Sequence, residues 1–515
     1  MLSRPTALPW AFLAITSALG LIMLGRPAIV RAQQHPRTGP PIDQPPALHV
    51  PPVNAMAVAP DQLTNRCPDT IAPAPANAPS WTGWSPSPDN WRFQPEKDAG
   101  IPASRVANLK LKWAFGIPNV NIVRSQPAIY RGRVYVGAND GTVYSLDAKT
   151  GCTFWATKAS KAVRSGLAVG KAGEAEAIFF GDSGGDLYAL DAESGKFLWS
   201  AHPEDHPSAT ITGTPTYSNG RLYVPMSSGE EQARRRPGYE CCTFRGSVTA
   251  LDAATGKIIW KTYMAPATPS PQGKAPNGTA ILGPSGMAIW SSPTLDLTKH
   301  RLYVGTGDNY APPPTPTADA VVALDLNSGK ILWQTQFTKP KMDEIVCGAP
   351  VRPGCQPPDV PEFDLGASPI LVKLRNGKRV LILGQKTGMV YAVDPDRDGK
   401  LLWFQRAGEG GLLGGVQWGM ATNGQRVFVA VSDLAFQGRG LDPTKGGGIS
   451  AYQLSDGKLL WHTPPPGCGD RRPCSPAQSQ AVSAIPGAVF SGSIDGHLRA
   501  YAGSDGKIIW DFDTA

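Results

Sequence analysis

The residues of this 515-residue chain with chemistry in reach are eight cysteines and a few charged or aromatic side chains in short Gly- and Ser-bearing motifs. In an exported protein cysteines read first as disulfides. Cys347 with Cys355, and Cys468 with Cys474, each close a short Pro/Gly-containing loop, which leaves Cys67 and Cys152 as a third pair. Cys241 and Cys242 are neighbours, and neighbours bond to each other only as a strained ring. No C-x-x-C-H run occurs, which excludes covalently attached haem as far as the chain runs. The remaining candidates are Arg164, Ser228, Glu231, Trp290, Asp308, Asn309, Asp343, Asp364, Lys386 and Trp418. Singly, each has an ordinary structural reading: a lone Trp is usually core, the Glu230-Glu231 pair a solvated loop, Lys386 a turn lysine. Their order on the loops of a rigid repeated scaffold is what marks them as a group.

That scaffold is built from an apolar, Trp-terminated unit. Its clearest copies are VYSLDAKTGCTFW, LYALDAESGKFLW, VTALDAATGKIIW, VVALDLNSGKILW and VYAVDPDRDGKLLW. Each is an alternating strand, an Asp- and Gly-bearing turn, and a second strand ending on Trp. The tryptophans are Trp113, Trp155, Trp199, Trp260, Trp333, Trp403, Trp461 and Trp510, separated by 42, 44, 61, 73, 70, 58 and 49 residues. Such spacing is the mark of a propeller, the longer gaps holding inserted loops. A further apolar strand precedes each hairpin, as at Arg133-Val134-Tyr135-Val136, and usually a Ser/Thr-Pro segment before it. The fold expected is all-β, an eight-bladed β-propeller in which the tryptophans pack between blades and Asp147, Asp191, Asp252, Asp325 and Asp394 bond local backbone.

Eight Trp-strands face only seven sets of the other three. The strand expected around Trp113 lacks its own preceding strands, and five residues follow Trp510. The last blade is therefore expected to be incomplete at the C-terminus, with about 40 residues needed to close the ring.

The chain ahead of the repeats differs in kind. Arg4, the apolar run from Trp10 to Leu24 and the small residues ending at Ala32 read as a signal peptide over 1–32, which implies a periplasmic or secreted protein with no stable membrane insertion once it is cleaved. Residues 33–79 read as a Pro/Ala-rich disordered or extended linker, and 80–515 as one large domain. The net charge of +8 falls to +5 without Arg4, Arg26 and Arg31, too mild to argue for a nucleic-acid partner.

The motifs resemble a known family. Trp81-Thr82-Gly83-Trp84, Asn90-Trp91-Arg92-Phe93-Gln94 and Asn108-Leu109-Lys110-Leu111-Lys112-Trp113 are similar to the opening segment of the secreted quinoprotein alcohol dehydrogenases, propellers that bind pyrroloquinoline quinone (PQQ) and calcium. CCTFRGSV from Cys241 and GGVQWGMA, which holds Trp418, resemble the polyvinyl-alcohol dehydrogenase branch most closely. The resemblance runs from Trp81 to Ala515. It implies that Trp290 floors the quinone, with Ser228, Trp418, Arg164 and Lys386 around it, the two cations suiting a ligand with three carboxylates. It implies a vicinal disulfide, Cys241 to Cys242, over the quinone, in a different blade from that of methanol-oxidising relatives. Calcium is expected on Glu231 and on Asp308 or Asn309, 18 residues beyond Trp290, since hard oxygens suit it.

The implied reaction is alcohol oxidation. Asp364, favoured over Asp343, takes the hydroxyl proton as hydride leaves the carbinol carbon for the quinone, with Lys386 and calcium stabilising the charge that develops. The expected substrate is a secondary alcohol, polyvinyl alcohol or a similar polyol, and the expected acceptor is a separate cytochrome c. A PQQ dehydrogenase for a small alcohol or sugar, and a non-enzymatic propeller scaffold, are the alternatives.

Overall fold

The computed structural model describes residues 55–514, apart from 64, 234, 235, 237, 276, 277, 338–362 and 439. The expected signal peptide, the first part of the expected linker, Asp343 and the Cys347 and Cys355 pair lie outside the described residues. Seven four-stranded antiparallel sheets follow one another along the chain: sheet 1 (128–158), sheet 2 (168–201), sheet 3 (216–263), sheet 4 (294–336), sheet 5 (370–406), sheet 6 (421–463) and sheet 7 (483–513). The strands of each run in chain order from an innermost to an outermost one, which carries the Trp. The third strands, such as Ala320–Asp325, are buried on nearly every residue. Sheet packs on sheet there, so both faces must be apolar. The outermost strands bury one face only and leave Ile258, Leu332, Leu402, Leu459 and Ile508 exposed.

The Trp and the turn glycine form one packing device. A Cβ on Gly195 would lie 2.5 Å from the Trp155 ring of the preceding sheet; the same closeness pairs Trp199 with Gly256, Trp260 with Gly329, Trp333 with Gly399, Trp403 with Gly457 and Trp461 with Gly506. Gly195 also has φ +70, the left-handed region in which glycine is unstrained. The turn aspartates behave as expected: carboxylates of Asp147, Asp191, Asp252 and Asp325 accept the backbone N–H three residues on, and Asp394 that of Asp396.

Trp113 departs from the expectation. No strand forms around it, because no neighbouring strand offers it a ladder, yet its ring packs on Gly151 and its Nε1 donates to Ala148 O at 3.1 Å. On its other side Leu109 O accepts from Trp510 Nε1 of sheet 7 at 3.0 Å, and Val106 packs with Ala488 and Ala500. Residues 101–120, which hold the short helix Ala103–Val106 and otherwise irregular chain, thus touch both sheet 7 and sheet 1, where a further Trp-strand was expected. The count of eight blades is not reached among the described residues.

Two N-terminal segments fasten the ring. Met56–Ala57 adds a strand to the outer edge of sheet 1, and the Cys67–Cys152 disulfide ties the chain there, so this part of the expected linker is extended and held. Residues 81–94 then cross the hub. Their backbone bonds Ile129, Val169, Leu295, Leu371, Thr422 and Ala484, each on the innermost strand of a different sheet. No helix among the described residues is long and apolar enough to cross a membrane.

Candidate active site

The repeat places one residue of each sheet at the hub. Arg124, Arg164, Thr212, Trp290, Gly366, Gln417 and Ser479 each lie four residues before the innermost strand of their sheet, and all seven line one cavity of about 730 Å³. Trp418 joins them, its ring edge-on to Trp290 with centroids 6.4 Å apart. Gly366 is required because a Cβ would fall 1.9 Å from the Trp290 ring. Buried polar atoms of the wall lack a partner among the described residues: Nε and Nη2 of Arg124, the hydroxyls of Thr212, Thr214 and Ser291, and Nε1 of Trp418. Buried polar groups without partners are rare in folded proteins, and a cluster on one wall fits a polar ligand. Burial, then the positive charge of Arg124, pushes the Arg164 guanidinium down to about 10; burial lowers Arg124 as well.

Trp290 connects this cavity to a charged group. Lys386 Nζ lies 6.0 Å from the Trp290 ring and 3.5 Å from Asp364 Oδ2. Asp364 Oδ1 accepts from the Asp308 N–H at 3.1 Å, and Asp364 O accepts from Lys386 N at 3.0 Å. Gly307 permits the first contact, since a Cβ there would come within 2.8 Å of Asp364 Oδ1. Glu231, Asp308 and Asp364 all act on the hydroxyl of Tyr310, which burial foremost and these carboxylates next push well up.

Other expected residues have different surroundings. Asn309 Oδ1 accepts from Thr315, from both its N–H and its hydroxyl at 3.1 Å, while the contact of Asp308 with Asp364 is made by the Asp308 backbone N–H. Ser228 Oγ accepts from Glu230 N, which caps the turn into Glu230–Ala233 and keeps Ser228 outside the cavity wall. Cys241 and Cys242 form the expected vicinal disulfide and pack with Ala288 and Tyr310. Glu230, half of the pair whose ordinary reading was a solvated loop, instead holds this loop together: fully buried, it accepts from Thr243 N, Phe244 N and Tyr239 Oη. Among the described residues no three Asp, Glu, His or Cys side chains close into a metal cage. Arg124 was missed as well, although Val123-Arg124-Ser125 repeats in Val163-Arg164-Ser165 forty residues on.

A propeller whose hub cavity is lined by Trp290, Trp418 and two arginines has the walls that suit a planar anionic ligand. Comparison with known proteins points the same way. Residues 81–345 match the family model of the glucose/ethanol/alcohol dehydrogenase β-propeller domain named PQQ, and residues 386–515 match that of the outer membrane protein assembly factor BamB. The polyvinylalcohol dehydrogenase of Pseudomonas sp is 40% identical over 87% of this chain and 70% of its own length, and that of Sphingopyxis sp. (strain 113P3) 39% over 86% and 69%. Among solved structures, the quinohemoprotein alcohol dehydrogenase from Comamonas testosteroni shares the fold with TM-score 0.63 at 20% identity, covering 85% of this chain and 73% of that one. The chain belongs to the PQQ-dependent alcohol dehydrogenase family and is an alcohol-oxidising quinoprotein.

Proposed function

We propose that the protein oxidises secondary alcohol groups of polyvinyl alcohol or a similar polyol, on PQQ seated against Trp290. The observation that carries this reading is that Trp290 both lines the cavity with its unpartnered buried donors and lies 6.0 Å from Lys386 Nζ, the partner of Asp364. PQQ supplies, when bound, the two-electron oxidant that accepts hydride. Arg164, Thr214 and Ser291 would hold its polar groups, and Trp290 and Trp418 would pack against its rings. Asp364 accepts the substrate hydroxyl proton at its carboxylate, while Lys386 Nζ places positive charge beside the reacting oxygens. The two polyvinylalcohol dehydrogenase relatives favour the polymeric substrate. A periplasmic or secreted location and a separate cytochrome c as acceptor belong to the same reading. Calcium is inferred from donor chemistry alone: the hard oxygens of Asp308, Asp364 and Glu231 would hold it. Equilibrium dialysis with PQQ, with and without calcium, tests the site: binding that requires calcium is expected, and no binding overturns it. A dye-coupled assay ranking polyvinyl alcohol against small alcohols and sugars tests the substrate.

A further inference from the structure

We propose that Arg124 is a second carboxylate-binding residue of the cofactor site, the sheet 1 counterpart of Arg164, so that adjacent sheets present paired guanidiniums to the acidic rim of PQQ. The inference rests on the reading of this cavity as the PQQ site. Its basis is positional equivalence together with unsatisfied chemistry. Arg124 and Arg164 each stand four residues before an innermost strand, in the same Val-Arg-Ser tripeptide, and both side chains line the cavity. The serine that follows each is used structurally. Ser125 Oγ accepts from Gly137 N at 3.2 Å, and Ser165 Oγ accepts from Gly181 N and donates to Gly181 O, both at 2.9 Å. These bonds fix the backbone from which the arginines project, and Gln126 O adds a bond from Leu167 N that joins the two segments.

Neither guanidinium has a carboxylate within ion-pair distance among the described residues, and Nε and Nη2 of Arg124 are buried with no acceptor at all. Two like charges facing one cavity without counter-ions are costly in the empty protein and favourable once an anion with more than one carboxylate enters. A guanidinium offers parallel N–H donors that match a carboxylate, which lysine cannot reproduce.

The experiment is a titration of purified protein with PQQ in the presence of calcium, followed by intrinsic tryptophan fluorescence, on wild type and Arg124→Gln. Absence of binding to wild type would overturn the site itself. With wild type binding, Arg124→Gln is expected to raise the dissociation constant about ten- to a hundred-fold, as for loss of a charged hydrogen bond. The PQQ trimethyl ester should bind both proteins alike, because its carboxylates are masked. The melting temperature of the ligand-free variant should stay level or rise, since a repulsion is removed. Unchanged PQQ affinity, an equal loss for the ester, or a lower ligand-free melting temperature would each overturn the proposal, the last by revealing Arg124 as a structural residue.

Discussion

At the residue scale, Asp364 is held from three sides: Oδ1 by the Asp308 N–H, Oδ2 by Lys386 Nζ, and its backbone oxygen by Lys386 N. Asp364→Asn keeps the size and one accepting oxygen but removes the base. Turnover should fall by about 10²- to 10⁴-fold, the span for loss of general-base catalysis, while PQQ affinity is kept. Asp343→Asn, assayed in parallel, should be mild, and the reverse ranking would move the role to Asp343. The Asp308 and Asn309 alternative shows what sequence leaves open here. Both are short polar side chains after the same Gly-Thr-Gly, and the bonds from Thr315 to Asn309 Oδ1, made six residues on, have no signal in the motif itself. Arg124 was legible in principle, because its tripeptide recurs, but a side chain lacking a partner is visible only once the wall around it is built.

At the scale of elements, the Trp unit carried the fold because strand alternation, the Asp turn and the terminal ring all report one packing solution. It failed at Trp113, where the ring docks as in the other copies but no strand forms. Docking and strand pairing are therefore separable, and the coupling of ring to glycine can be measured. Trp155→Ala should destabilise by about 3–5 kcal/mol as a large buried ring is lost. Gly195→Ala should destabilise less in that background than in wild type, by a coupling of about 0.5–3 kcal/mol, since the clash with the ring is gone. Urea unfolding of the four proteins closes the cycle, and additive effects would show that the glycine serves its turn alone.

A second element, the third strand of sheet 7, carries a buried ionic cluster that predicts a pH response. Arg499 donates to Asp495 Oδ2 at 2.7 Å and to Asp511 Oδ2 at 2.9 Å, with the Asp495 side chain 4% exposed. Burial pushes the Asp495 carboxyl up, but hydrogen bonds from Arg499, Ser493 and the His497 N–H together outweigh it and hold the group below 3.8. A depressed carboxylate contributes stability above its unfolded value and loses it as pH falls through the folded one. Melting temperatures should thus change little on this account from pH 7 to 5 and decline below about pH 4. Arg499→Met should cost about 3–5 kcal/mol near neutrality, by stranding a buried carboxylate, and should flatten that acid limb.

At the scale of the whole molecule, residues 81–94 join the innermost strands of six sheets. No pattern in the sequence announces this, because the bonds are made by backbone groups to strands as distant in the chain as that of Ala484, which bonds Arg92 and Gln94. Arg92 anchors the far end with no carboxylate partner among the described residues: its cation lies 4.4 Å from the Trp84 ring and 5.4 Å from that of Trp81, it donates to Val482 O and Gln126 Oε1, and burial pushes it down to about 9. Asn90 anchors the middle. Its φ of 63 suits Asn or Gly, and its Nδ2 donates to Thr294 Oγ1 at 2.8 Å and to Ser292 and Pro293 carbonyls of sheet 4. Asn90→Ala should destabilise by about 2–4 kcal/mol, from the left-handed backbone and the lost bonds together. If the segment works as one clasp, amide exchange should quicken in concert at Leu295, Leu371, Thr422 and Ala484, whose N–H groups bond its carbonyls on four different sheets. Acceleration confined to Leu295, next to the substituted side chain's own partners, would show instead that each sheet holds the segment independently.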